Sequence, residues 1–281
     1  MTSFFLFLFS LKVALCSCHA EKKHSGFRSG RSLYTVTRSG RFTKPINESS
    51  GLAYNPNRKT FWTHNDSGGR PTLYEVASDG SLVDSLPLPA LKNQDWEALA
   101  LPDTTSFFIG DIGNNANTRR DLRIYRVNAT QPSDFEQIAF HYARQQTFPA
   151  AKDTRNFDSE ALFAAHDSLF LVSKNRSKPR RFVNLYGLPA KAGDYALLPI
   201  DSVFLKSMVT DAAISPDGRT LAVLTYGKIF LFDLRNNRVS FRHPTRCLRV
   251  PRGQTEGITF LNKTDLAMTN ERGRLFFIRK K

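Results

Sequence analysis

Cysteine is scarce in this chain: three in 281 residues, two of them (Cys16 and Cys18) within the first twenty positions. Cys247 then stands alone in the body of the chain, so a disulfide-stapled scaffold is not expected, and Cys247 reads as a small buried apolar residue. No His/Cys set has the spacing of a structural zinc site. Long apolar runs are missing too. The one candidate, Phe4 to Leu15, is interrupted by Lys12 and is shorter than a membrane-spanning helix requires. Helical periodicity is not sustained over any long window, which argues against a bundle or an α/β domain. There is no P-loop and no glycine-rich dinucleotide fingerprint after a strand-like run. Acidic residues are in the minority, 25 against 40 Lys and Arg, for a formal charge of +15.

What the chain has is repetition. Asp95-Trp96-Glu97-Ala98-Leu99 recurs in type as Asp158-Ser159-Glu160-Ala161-Leu162 and more loosely as Thr255-Glu256-Gly257-Ile258. Weaker copies are Ser49-Ser50-Gly51-Leu52-Ala53 and Val209-Thr210-Asp211-Ala212. Aligned at Ser50, Glu97, Glu160, Thr210 and Glu256, the intervals are 47, 63, 50 and 46 residues. After each copy come two more short runs of aromatic and β-branched residues, bounded by Gly, Asn, Asp and Pro. Several short strands per unit of roughly 40–50 residues describe the blades of a β-propeller.

The expected fold is therefore all-β, a five-bladed propeller, with six blades as the alternative count. The last repeat runs out at Lys281 after three strands, and an open ring leaves unpaired edges. Residues 33–42 supply the missing outer strand. The blades are then 48–92, 95–150, 158–207, 211–250, and 256–281 joined to 33–42, in one domain spanning 33–281. A polar surplus from His141 to Phe157 falls in the second blade, and Asp217-Gly218 after Ser215-Pro216 is a tight-turn signal in the fourth.

Ahead of the domain, residues 1–20 sit where an export signal would. Cys18-His19-Ala20 resembles a cleavage site before Glu21. Leu15-Cys16-Ser17-Cys18 resembles a lipobox, which would leave Cys18 acylated and the protein tethered to a membrane. An uncleaved anchor is the third alternative; export is expected, with lipidation placed ahead of simple secretion. Residues 21–32 are polar, basic and rich in Gly and Ser, so they read as a flexible spacer.

The recurring acids carry the functional expectation. Side chains two apart on a strand share a face, which pairs Glu48 with Ser50, Asp95 with Glu97, Asp158 with Glu160 and Gln254 with Glu256. Circular symmetry aims Glu97, Glu160 and Glu256 at one axis, with Asp211 and Glu48 nearby, and Asp66 and Asp111 at the ends of second strands. Crowded carboxylates repel one another unless neutralised, and an all-oxygen set suits calcium rather than zinc. Singly, each acid reads as a turn cap or an arginine partner; three at equivalent ring positions favour a metal site. Basic clusters at Lys174–Arg181, Arg235–Arg252 and Arg272–Lys281 suit an anionic envelope surface better than nucleic acid, since no aromatic stacking motif accompanies them.

Ser49-Ser50-Gly51-Leu52-Ala53-Tyr54-Asn55, the Trp-Glu-Ala-Leu and Ser-Glu-Ala-Leu elements, and Glu256-Gly-Ile followed by Thr269-Asn270-Glu271 resemble the SdiA-regulated family of bacterial propellers. The resemblance spans roughly residues 45–278. It implies an exported or membrane-anchored five-bladed propeller with calcium near its axis, and Glu97, Glu160 and Glu256 as ligands or near-ligands. Ser50 and Thr210 interrupt the acidic ring. Two functions follow. One is a calcium-binding, envelope-tethered module that offers one propeller face to a protein or small ligand. The other is a calcium-dependent hydrolase of phosphate esters, esters or lactones, for which His64 and Asp66 are the candidate bases. The binding module is preferred, because no second catalytic constellation appears.

Overall fold

In the structure, a computed structural model describing residues 17–179, 182–251 and 253–281, the short apolar runs form 22 strands and one short helix. The apolar segment Phe4–Leu15 lies outside the described residues, as do Arg180, Arg181 and Arg252. No helix among the described residues is long and apolar enough to cross a membrane.

The chain begins with helix α1 (His19–Ser25), β1 (Arg28–Ser29) and β2 (Tyr34–Arg41). Blade one follows as β3 (Ser49–Asn55), β4 (Thr60–Asn65), β5 (Thr72–Val76) and β6 (Leu82–Pro87). Blade two is β7 (Trp96–Ala100), β8 (Ser106–Asp111), β9 (Arg123–Asn128) and β10 (Gln131–Tyr142). Blade three contains β11 (Ser159–Ala165), β12 (Ser168–Ser173) and β13 (Phe182–Pro189). Its chain then visits blade two: β14 (Gly193–Leu197) pairs in parallel with β10, before β15 (Asp201–Phe204) returns as the outer strand of blade three. Blade four is β16 (Val209–Ile214), β17 (Thr220–Thr225), β18 (Lys228–Asp233) and β19 (Pro244–Arg249). Blade five is β20 (Thr255–Phe260), β21 (Leu266–Asn270) and β22 (Arg274–Lys280), completed by β2, whose Tyr34 faces Lys280 and whose Arg41 faces Arg274. The ring thus closes on the N-terminal strand, and the count is five.

Each gap between blades holds its own apolar cluster. Trp62, Trp96 and Phe107 fill the first gap; Ile124, Leu162 and Tyr186 the second; Val172, Val223 and Phe230 the third. Leu224, Ile258 and Met268 fill the fourth, and Phe61, Val76 and Ala267 close the circle. A fully buried side chain of this kind stabilises the fold by about 1.5–3 kcal/mol. The Ser-Pro-Asp-Gly turn forms as its residues dictate: Ser215 Oγ donates to Asp217 at 2.7 Å, and Gly218 takes φ +69°, a value that costs glycine nothing.

Two expectations about the N-terminus are corrected. Cys247 is not alone: it is disulfide-bonded to Cys18 across a separation of 229 residues. The sulfur drawn as a lipid anchor is therefore engaged within the fold. Residues 21–32 are also not a free spacer. They contribute most of α1, a two-residue strand paired in parallel with β19, and Phe27, which is buried in the core between blades three and four. Sequence distance hid both contacts.

Candidate functional site

Each innermost strand carries an irregularity at the same place. In β7, Trp96 pairs with Asp111 and Ala98 with Gly110, so Glu97 is the extra residue of a β-bulge. The same skip falls on Glu160 in β11, Thr210 in β16 and Glu256 in β20, while β3 skips Gly51 and Leu52. A bulge leaves its extra residue unpaired and bends the strand, which re-aims the side chain. In blades two, three and five the residue so turned is a glutamate, and Glu97, Glu160 and Glu256 meet at one end of the axis.

The result is a polar pocket of about 260 Å³. Glu97, Glu160 and Glu256 line it, as do Glu48, Asp66 and Glu271, with Ser50, Tyr226 and two cations, Lys174 and Arg176. Asp66, Asp95 and Glu97 offer oxygen atoms that all lie within 4.8 Å of one another. Asp66 is held by its turn, its N–H donating to the Glu48 carbonyl at 3.0 Å and its Oδ1 accepting from the Ser67 N–H at 2.6 Å. The side-chain amide of Asn93 donates to the backbone carbonyls of Asn65 and Asp66 and fixes the loop. Beside the acids, a Cβ at Gly113 would stand 2.2 Å from Asp95 Oδ2 and 2.8 Å from Glu97 Oε1. A side chain there would have to displace these carboxylates.

These groups are short of positive charge. Burial, then the charge of Asp66, pushes the Asp95 carboxyl up to about 6, with Arg119 pulling it back. Glu97 is 5% exposed and is raised well above the usual carboxylate range, by burial first and then by Glu160 and Asp66. Among the described residues, no hydrogen bond or ion pair reaches its carboxylate. Burial pushes Glu160 up to about 7 against the pull of Lys174. Burial also raises Glu256 well above the usual carboxylate range, again against Lys174.

Lys174 is the feature that reading the sequence missed. It follows β12 directly, in a run whose charge suits a basic exterior, yet only 4% of it is exposed. Its ammonium contacts Glu160 Oε2 and lies 3.1 Å from the Tyr226 hydroxyl. Arg176 is turned inward as well, against Asp158 and, at 3.2 Å, Glu160 Oε1. Both oxygens of Glu160 are thus held by the protein's own cations, and the symmetric three-glutamate cage gives way to two halves. One contains Glu160 with Lys174 and Arg176. The other contains Asp66, Asp95 and Glu97. The signal for Lys174 was its place at the polar end of a second strand, where blades one and two carry Asp66 and Asp111.

The remaining candidates divide. Glu48 is exposed at the pocket rim and Glu256 lies within it. Asp111 is outside the pocket: it accepts the Asp95 N–H at 3.0 Å and pairs with Arg119 at 3.0 Å, which holds the cluster from behind. Asp211 is outside as well, because the bulge falls on Thr210 and turns its neighbour sideways. Its carboxylate accepts the Ala212 N–H at 2.8 Å and, across the gap to blade five, the Ile258 N–H at 2.7 Å. It is an inter-blade clamp. Asp211→Ala strands a buried N–H and lowers stability by about 1.5–3 kcal/mol, seen as an earlier denaturant midpoint, while cation binding is unchanged. His64 is fully buried, its Nδ1 3.0 Å from the Asn65 carbonyl and its ring edge-on to Trp96 at 5.6 Å. Burial depresses its pKa. It does not line the pocket.

A closed ring of five blades, with acids gathered at one end of its axis, defines a β-propeller. The family model named SdiA-regulated matches residues 32–225, and this chain belongs to that family. No curated protein matches the sequence. Among solved structures, a PQQ-bound aldose sugar dehydrogenase from Streptomyces coelicolor is similar at 10% identity and a TM-score of 0.53, over 88% of this chain and 98% of that one. A luciferin-regenerating enzyme is similar at 12% identity and 0.52, over 87% and 95%. At such identities the likeness is one of fold.

Proposed function

We propose that this chain is an exported, cation-loaded binding module whose axial pocket holds one divalent metal ion and offers the surrounding polar face to a ligand or partner. The observation that carries the reading is the Asp66, Asp95 and Glu97 cluster, with Gly113 beside it and a buried Glu97 carboxylate that no hydrogen bond or ion pair reaches among the described residues. Three carboxylates and no nitrogen or sulfur donor fit a hard cation, calcium first. Asp66, Asp95 and Glu97 would hold the ion, and the bound ion would supply a positive centre for a ligand oxygen. Lys174 and Arg176 neutralise Glu160 on the opposite side, so the pocket recognises charge of both signs.

The hydrolase reading is the weaker one. Of its two candidate bases, His64 is buried outside the pocket, and Asp66 belongs to the ligand set. Exposed basic residues such as Arg235, Arg238, Arg272 and Arg279 support contact with an anionic envelope surface. The test is calorimetric titration of chelator-treated protein with calcium and magnesium, with assays on phosphate esters and lactones alongside. One calcium bound per chain and no turnover is the expected outcome. Calcium-dependent turnover lost in Asp66→Asn would replace the module with the enzyme, and no binding of either ion would end both.

A further inference from the structure

The segment before the first blade is built into the domain at five points. Cys18 is bonded to Cys247 on β19. Glu21, wholly buried, meets the Lys228 ammonium at 2.8 Å and accepts the Lys206 N–H at 3.3 Å. Ser25 Oγ donates to the Phe204 carbonyl at 2.9 Å, and the His24 ring packs on Phe204 at 4.5 Å. Phe27 lies against Phe230 and Phe232 at 4.9 and 5.2 Å. The Gly30 N–H donates to the Cys247 carbonyl at 3.0 Å, and β1 extends the sheet of blade four.

A cut before Glu21 would remove Cys18, leave Cys247 unpaired and expose the start of α1. Acylation of Cys18 would consume the same sulfur. A buried ion pair such as Glu21 with Lys228 also costs several kcal/mol to leave half-made, so the segment and blade four belong to one folded unit. A tail meant only as a tether has no use for an internal acid matched to a buried lysine.

We infer that Cys18 is a structural half-cystine of the mature protein and that any removal of a leader takes place ahead of it. The two thiols become one disulfide by giving two electrons and two protons to a protein disulfide of the export compartment, which leaves as a dithiol. Such bonds persist where thiols are kept oxidised. The bond fastens the N-terminal segment over the gap between blades three and four, independently of anything bound at the axis.

The experiment uses the full chain, expressed with its own N-terminus and recovered from the extracytoplasmic fraction. Non-reducing peptide mapping is expected to yield a Cys18–Cys247 cross-linked pair, an N-terminus at or before Cys18, and no acyl group. An N-terminus at Glu21, a lipid on Cys18, or two free thiols would overturn the inference. Thermal melts give a second readout: Cys18→Ser, Cys247→Ser and the double variant should each lower Tm by the same roughly 5–15 °C, because all three lose one shared bond. A Cys18→Ser variant that keeps the wild-type Tm but leaves the membrane fraction would contradict it.

Discussion

Calcium at a hundred times its Kd should stabilise the chelator-treated protein by about 2.7 kcal/mol, a rise in Tm of roughly 5–10 °C, and Glu97→Gln should abolish that rise. The same substitution should leave the metal-free protein at least as stable as wild type. Glu97 is a buried carboxylate held among Asp66, Asp95 and Glu160, and its pKa is raised by burial and by its acidic neighbours. Removing its charge relieves repulsion in the empty site and removes a ligand from the loaded one. A residue of purely structural importance would lower Tm in both states.

The pH dependence follows with a definite sign. Carboxyl groups whose pKa is raised on folding add stability while protonated and lose that contribution as pH rises through the folded value. For Asp95 that value is about 6 and for Glu160 about 7. The metal-free protein should therefore lose stability from this cluster between the ordinary carboxylate range and about pH 7. Cation binding opposes that loss, because only ionised ligands bind. The calcium-induced shift in Tm should be small near about pH 5 and should grow as pH rises through about 6, where Asp95 ionises. A shift that does not depend on pH would mean the ion binds elsewhere.

The second large effect concerns Lys174. Lys174→Met removes the ammonium from Glu160 and leaves Arg176, at 3.2 Å, as the remaining partner of that carboxylate. Breaking a buried pair from one side costs about 3–5 kcal/mol, and chemical denaturation at neutral pH should show a loss of that size. In this variant Glu160 keeps only Arg176, and Glu97 loses the pull of the same ammonium, so calcium should recover more stability than it adds to wild type. A loss that calcium cannot reduce would place Lys174 outside the electrostatics of the ion site.

The five-bladed ring was legible because its evidence lies in composition: apolar runs end at polar turns and recur at a near-constant interval. Closure by β2 could be argued because a ring cannot leave its edge open. The excursion of β14 to blade two carried no such mark, since Gly193–Leu197 is a short and largely exposed edge strand. The acidic end of the axis was legible from Glu97, Glu160 and Glu256. Their separate roles were not, because a bulge is one extra residue with no composition of its own. Strand alternation alone left Asp211 beside the axis, whereas the bulge at Thr210 turns it toward blade five. Lys174 and Arg176 looked like a solvated basic run because charge pattern does not reveal which way a strand end bends. Cys18 and Cys247 could not be matched from 229 residues apart.

An ion held among Asp66, Asp95 and Glu97 is tested most directly by anomalous diffraction from crystals grown with a calcium-like heavier cation. The expected result is one strong peak about 2.3–2.6 Å from carboxylate oxygens of those three residues, absent from Glu97→Gln crystals. A pocket without a peak, or one in which Lys174 has moved among these three acids and neutralises them alone, would contradict it.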